Sequence, residues 1–335
     1  MTEATRLTLK SSQFRVAREA SWRELEALII RAERKGARKL RPDELERLPL
    51  LYRTLLSSLS VARGIALDRN LLNYLEALAI RAFLVVHGPR VRQLPAIHDF
   101  LTRALPGSMR RVGWHLLIAF LALLGGFVAA FLLVHADESW FTALVPGDLA
   151  GERGPDSTAA ELRDEELFAP YPGVVQAFAL FANVLFDHNT LVGILIFSLG
   201  VAGGVPTILL LVYQGATLGA FVALHDDRGL LWESVGWLSI HGVTEMAAMV
   251  VFGAGGLLIA EKMLFPGRKS RLESLASEGR VAARIAIGGV LMLFVAAILE
   301  GGFRQLIQST HWRMAIGGMT GLLWLAYFGL AGRRA

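Results

Sequence analysis

The sequence predicts an all-α protein: a polytopic membrane bundle of about six transmembrane helices carrying an N-terminal soluble helical bundle. Three observations predict it. Hydrophobic residues fill 54% of the 335 positions, and the mean hydropathy of +0.48 is too high for an ordinary soluble domain. Several uncharged runs approach the roughly 20 residues that a helix needs to cross a bilayer. The first third instead shows apolar residues at spacings of three and four, broken by charges.

That first third, 1–89, reads as a cytoplasmic three-helix module. Trp22, Leu25, Leu28, Ile29 and Ala32 form one stripe; Leu45, Leu48, Tyr52, Leu55, Leu59 and Ala62 form a second; Leu71, Leu75, Leu78, Ala82 and Val86 form a third. Gly36, Pro42, Gly64 and His87-Gly88-Pro89 punctuate them, with Asp68 as the expected N-cap of the third helix. Met1–Arg111 holds 21 Lys/Arg against 11 Asp/Glu. The basic residues are interleaved with acids rather than gathered on one face, which argues against nucleic acid as a partner. The apolar core of a cleavable leader does not follow Arg6 and Lys10, so none is expected. Residues 90–111 read as a linker or interfacial helix.

The membrane region, 112–330, opens with the apolar run Val112–Val134. An acidic loop, 136–172, follows, with nine Asp/Glu against two Arg. Gly173–Phe186 is apolar but short, and is expected to lie at the interface or re-enter; counting it as a span makes seven and puts the C-terminus outside, against which the Arg333/Arg334 tail argues. Further spans are expected at Thr190–Gly204, Thr207–Leu224, Val235–Ala260, Val281–Gly302 and Trp312–Leu330. Positive charge orients them. Arg110 and Arg111, the six Lys/Arg from Lys262 to Arg284, and Arg333 and Arg334 fall on one side, and the acidic loop on the other. The positive-inside rule then places both termini in the cytoplasm and the protein in the cytoplasmic (inner) membrane.

Within these runs a few polar residues stand out. His241 and Glu245 lie four apart on α-helical spacing, hence on one face, about 9 Å and 15 Å from the outer end of their span. Asn189 at the outer mouth of the second span, Gln214 in the third and Glu300 near the outer end of the fifth lie at compatible depths. A carboxylate facing lipid costs at least about 2.5–3.5 kcal/mol, so one internal cluster of Asn189, Gln214, His241, Glu245 and Glu300 relieves every cost together. Gly200/Gly204, Gly215/Gly219 and Gly317/Gly321 are GxxxG pairs that favour close helix packing. Absent cysteine removes thiol chemistry, and no phosphate loop, GxSxG elbow or HExxH is present. No cofactor is called for.

The run Asn183-Val-Leu-Phe-Asp-His-Asn189, then Gly193, Gly200, Gly204, Gln214-Gly215, Gly219, His241-Gly242-x-x-Glu245-x-x-Ala248 and Ala296-Ala297-Ile-Leu-Glu300 resembles the stage II sporulation protein M family. The resemblance spans roughly Val112–Leu330. Trp22, Leu48-x-x-Leu51-Tyr52-Arg53 and Asn73-Tyr74-Leu75 are similar to the cytoplasmic region of the family's longer members. His188-Asn189 stands where the family has paired asparagines, and Gln214-Gly215 where it has Asn-Gly. The resemblance implies envelope (peptidoglycan) remodelling beside other envelope proteins, with a MoxR-type AAA ATPase among the expected partners; self-association is compatible with this. It supplies no reaction.

Three functional classes follow. The polar residues are hydrogen-bonding glue in an envelope scaffold; or they line a path for a proton, ion, lipid or glycan carrier; or His241, Glu245 and Glu300 hold a divalent metal in an intramembrane hydrolase. A dry seam favours the first, and a cavity favours the others.

Overall fold

The computed structural model describes residues 3–36, 39–64, 69–87, 93–169, 173–304 and 306–333, with side chains omitted at 3–13, 35, 64, 93, 148, 165–166 and 174–185. Among the described residues the regular structure is helical throughout. The chain divides into two compact units, 1–92 and 93–335. Asp68 and Gly88-Pro89 lie outside the described residues.

In the first unit, α1 (Glu3–Lys35), α2 (Pro42–Gly64) and α3 (Arg69–His87) close around one apolar core. Trp22, Leu25, Ile29, Leu55, Leu75 and Leu78 are each at most 3% exposed. Leu45 departs from its stripe and stays half-exposed, because the second stripe meets the core only from Leu48 onward. Arginines pair with acids between helices rather than forming a basic face. Arg81 Nη2 is 2.8 Å from Glu33, Arg47 Nη2 is 2.7 Å from Glu24, and Arg63 Nη2 is 2.9 Å from Glu76. Tyr74 donates to Glu26 at 2.9 Å across α3 and α1.

The second unit starts with α4 (Gln93–Asp99), a wider π-type turn over Phe100–Ala104, and α5 (Leu105–Arg111). Then comes α6 (Gly113–Ala136). The acidic segment carries only short helices, α7 (Ser139–Leu144), α8 (Gly147–Ala150) and α9 (Ala159–Glu161), the last started by a Thr158–Glu161 capping box. The long helices α10 (Val174–Ser198), α11 (Val205–Asp227), α12 (Leu231–Leu264), α13 (Arg271–Phe303) and α14 (Thr310–Leu330) complete the chain. By length and composition, four of the described helices suffice to cross a membrane: α6, α11, α12 and α13. The described apolar part of the α10 region, Phe186–Ala202, is shorter.

One expectation is corrected. Gly173–Phe186 is not a separate interfacial or re-entrant piece: its residues from Val174 run without interruption into α10. The Asp187-His188-Asn189 triplet is polar but holds neither Gly nor Pro, so nothing forces the backbone to turn there. The turn comes later, at Gly203 and Gly204, whose φ of 85° and 81° few residues but glycine tolerate.

Helix α12 is the centre of this unit and packs against α6, α10, α11, α13 and α14. Glycine sets the approach. A Cβ at Gly200 would lie 2.1 Å from the Gly256 carbonyl oxygen, so α12 and the end of the α10 segment touch backbone to backbone. The fully buried Phe252 ring fills a slot between Gly193 of α10 and Gly289 of α13, where added Cβ atoms would meet it at 2.5 and 2.7 Å. Helix α11 closes on α6 in the same way. Cβ atoms at Gly215 and Gly219 would lie 1.9 and 2.1 Å from the carbonyl oxygens of Leu123 and Phe127. At the end of α14, Arg110 donates to the carbonyls of Phe328 and Ala331 at 3.0 and 2.7 Å, supplying positive charge where the helix dipole is negative.

Candidate functional site

On α12, Trp237, His241 and Glu245 follow at intervals of four and share one face. Facing them, α13 offers Glu300 and Arg304 at the same interval, one at its end and the other at its C-cap. His241, Glu300 and Arg304 are 4%, 3% and 6% exposed. The His241 Nε2 lies 3.6 Å from Glu300 Oε1, and Arg304 Nη1 donates to that same oxygen at 2.5 Å. The Arg304 guanidinium also stands 4.6 Å above the Trp237 ring. From α10, Asn189 donates its amide to Glu245 Oε1 at 2.8 Å.

Taking the ions Glu300 and Arg304 out of water costs several kcal/mol each and is repaid only by close, well-directed pairing. Arg313 of α14 supports that geometry. Fully buried, it donates from Nη2 to the Arg304 carbonyl at 3.1 Å and from Nε to the Ile307 carbonyl at 2.6 Å. The connection from α13 to α14, and with it the Arg304 backbone, is thereby held in place.

These side chains surround open space. A cavity of about 870 Å³ is lined by Gln214, His241 and Glu245 together with loop residues including Arg153 and Asp156. Gln214 sits on the cavity stripe of α11 with Thr217, Leu218 and Phe221, at spacings of three and four. Buried atoms here without a hydrogen-bond partner among the described residues include Trp237 Nε1, His241 Nδ1 and Glu300 Oε2. Polar atoms are seldom left this way in a dry protein seam.

The structure thus brings together Asn189 with Glu245, and His241 with Glu300, and lines one cavity with all five expected residues. It does not join Gln214 to the other four by a hydrogen bond. Nor does it arrange three His, Asp or Glu side chains as metal ligands anywhere among the described residues. The one Glu300 oxygen near His241 is already taken by Arg304, so the donor set proposed for a metal is incomplete. Sequence reasoning missed Arg304, Trp237 and Arg313. Arg304 reads as a loop charge beyond an apolar run, though its spacing of four from Glu300 was visible. Arg313 reads as an interfacial anchor.

The covering loop is tied down by Arg228, at the end of α11. Its guanidinium pairs with both Glu138 oxygens at 2.9 Å, donates to the Ser157 carbonyl at 3.0 Å, and reaches the Pro155 carbonyl. The Arg228 hydrogen bonds hold the Glu138 carboxyl below its ordinary 4.5.

Fold and site define a helical membrane protein with a charged cavity inside its bundle. The stage II sporulation protein M family matches residues 115–303, more than half of the chain, which includes all five residues above. The chain belongs to the stage II sporulation protein M family. A second family, described as a domain of unknown function (DUF8413), matches residues 12–88. Comparison with curated proteins and with solved structures gave no match.

Proposed function

We propose that this is a six-span inner-membrane protein that receives a polar ligand from the extracytoplasmic side, in the cavity at Asn189, His241, Glu245, Glu300 and Arg304. The observation that carries this is the cavity itself. Hydrogen-bonding glue needs no space, whereas about 870 Å³ lies in the range of small-molecule sites. The acidic loop at the cavity and the basic segments elsewhere support an outer entrance and cytoplasmic termini. Spans at α6, α10, α11, α12, α13 and α14 satisfy that orientation. A role in envelope remodelling, beside other envelope proteins and a MoxR-type AAA ATPase, rests on the family resemblance.

Cysteine-free sequence makes the test direct. With Ala159→Cys in the acidic segment and Leu218→Cys in the cavity, an impermeant thiol reagent added to intact cells should label both, and Ser277→Cys should stay protected. Labelling of Ser277→Cys with Ala159→Cys protected inverts the topology. Protection of Leu218→Cys in intact cells, with labelling from the cytoplasmic side of inverted vesicles, rejects the outer entrance.

A further inference from the structure

We infer that the cavity takes a small organic molecule bearing a primary amine, its ammonium group seated at Glu245; this rests on reading the cavity as a ligand site. Charge comes first. Among the described residues the cavity is lined by the carboxylates of Glu152, Asp156, Glu161, Glu245 and Glu300 against the guanidiniums of Arg153 and Arg304. Such a lining draws cations in and turns anions away. The residues of the bundle decide where the cation stops. Arg304 is committed to Glu300, whereas Glu245 is only partly buried and has Asn189 as its hydrogen-bond partner. An amide donates a hydrogen bond but brings no charge, and among the described residues no cation pairs directly with Glu245.

Hydrogen-bond capacity sets the kind of cation. Glu300 Oε2 and His241 Nδ1, beside Glu245, are acceptors buried without partners among the described residues; Trp237 Nε1, buried likewise, is a donor and takes no part in seating a cation. With the His241 proton on Nε2, toward Glu300, its Nδ1 offers a lone pair. An ammonium group carries three N–H donors and matches such a set of acceptors. A quaternary ammonium, which lacks them, is recognised on aromatic faces. Here the Trp237 ring is covered by Arg304 at 4.6 Å and stacked with Phe221 at 6.0 Å, so no open face is left for it or for a stacked sugar. The volume exceeds the need of a bare ion and accommodates an organic body.

The test uses the full-length chain in lipid nanodiscs with n-butylammonium as probe, and sodium, tetramethylammonium and butyrate as controls. Butylammonium should raise the thermal midpoint saturably and slow thiol labelling of Leu218→Cys. Glu245→Gln should weaken both effects at least tenfold, and Glu245→Asp should retain them. Equal effects from sodium or tetramethylammonium overturn the assignment to a primary amine, and equal effects from butyrate overturn the charge argument. Undiminished binding in Glu245→Gln, or no saturable effect of butylammonium, overturns the inference outright. Should Glu245→Gln not fold, loss of binding in Glu245→Asp overturns the seat at Glu245. Leu218→Cys labelled from outside but indifferent to amines leaves the outward cavity standing and removes the amine. Amine stabilisation with Leu218→Cys reached only from the cytoplasmic side does the reverse.

Discussion

Helix α11 has two working faces, and they solve opposite problems. One face, at Gly215 and Gly219, lies on the backbone of α6 so closely that a single Cβ would overlap a carbonyl oxygen. The other, at Gln214, Thr217, Leu218 and Phe221, borders the cavity. The seam gains its stability from having no side chains, since lipid offers no hydrophobic reward for helix contact and close approach is what remains. The cavity face keeps its side chains and leaves space between them. A rigid seam on one side is what allows the other side to stay open without collapsing.

The largest effect is expected at the cavity's buried ion pair. Arg304→Ala leaves Glu300 deep in the bundle without its cation, and stripping one partner of such a pair costs about 3–5 kcal/mol. Thermal unfolding in detergent should show a loss of that size. Replacing the pair together, Glu300→Met with Arg304→Met, should restore most of it. A double variant as unstable as the single one removes the pair from the account.

On the seam, Gly215→Val should be the worst tolerated change, costing about 3 kcal/mol as an overpacked contact. Its Cβ meets the Leu123 backbone, which cannot rotate away, so α6 and α11 must separate. Gly302, with nothing near its Cβ position, is the control, and Gly302→Val should cost no more than about 1 kcal/mol, mostly from lost χ1 freedom in the helix. Equal losses in the two variants end the claim that the seam depends on backbone contact.

How far the sequence foretold these faces differs between them. Composition and run length suffice for the helical class and for α6, α11, α12 and α13, because crossing a bilayer is a one-dimensional demand. Depth along each span groups Asn189, His241, Glu245 and Glu300, because the helical rise is fixed. Depth says nothing about azimuth, which is why it could not foretell that Gln214 makes no hydrogen bond to the rest. It also missed Arg304, a charge at a helix end that reads as solvated until Trp237 and Glu300 are seen closing around it. The continuous helix through Asp187-His188-Asn189 was hidden for a related reason: polarity there resembles a loop, but the residue types carry no backbone break.

A smaller effect sharpens the cavity side. Glu245→Leu removes the acceptor of Asn189 and should cost about 0.6–1.7 kcal/mol, the range of interhelical hydrogen bonds within membranes. Glu245→Gln keeps an acceptor and should be nearly silent in thermal stability. If Gln costs as much as Leu, charge rather than hydrogen bonding holds Glu245 in place.

The smallest expected effect concerns the loop over the cavity, and it is visible only through pH. Arg228 anchors this loop through Glu138 and through the carbonyls of Pro155 and Ser157. Because its folded value is depressed, Glu138 contributes stability that is fully present above its ordinary 4.5 and lost as pH falls through the lower folded value. The carboxylate is 40% exposed, so solvent screening limits the contribution to about 1 kcal/mol or less. Backbone hydrogen bonds to Ser139 and Thr158 hold Asp137 and Glu161 low as well, so some acid loosening is expected without Glu138. Hydrogen exchange over residues 150–160, corrected for intrinsic rates, should therefore quicken below pH 4.5, and Glu138→Gln should quicken it at neutral pH while flattening its acid response. The α6–α11 seam, which has no titrating group at Gly215 or Gly219, should show no such step. An acid response of the loop that is undiminished in Glu138→Gln assigns that response to Asp137 and Glu161 instead.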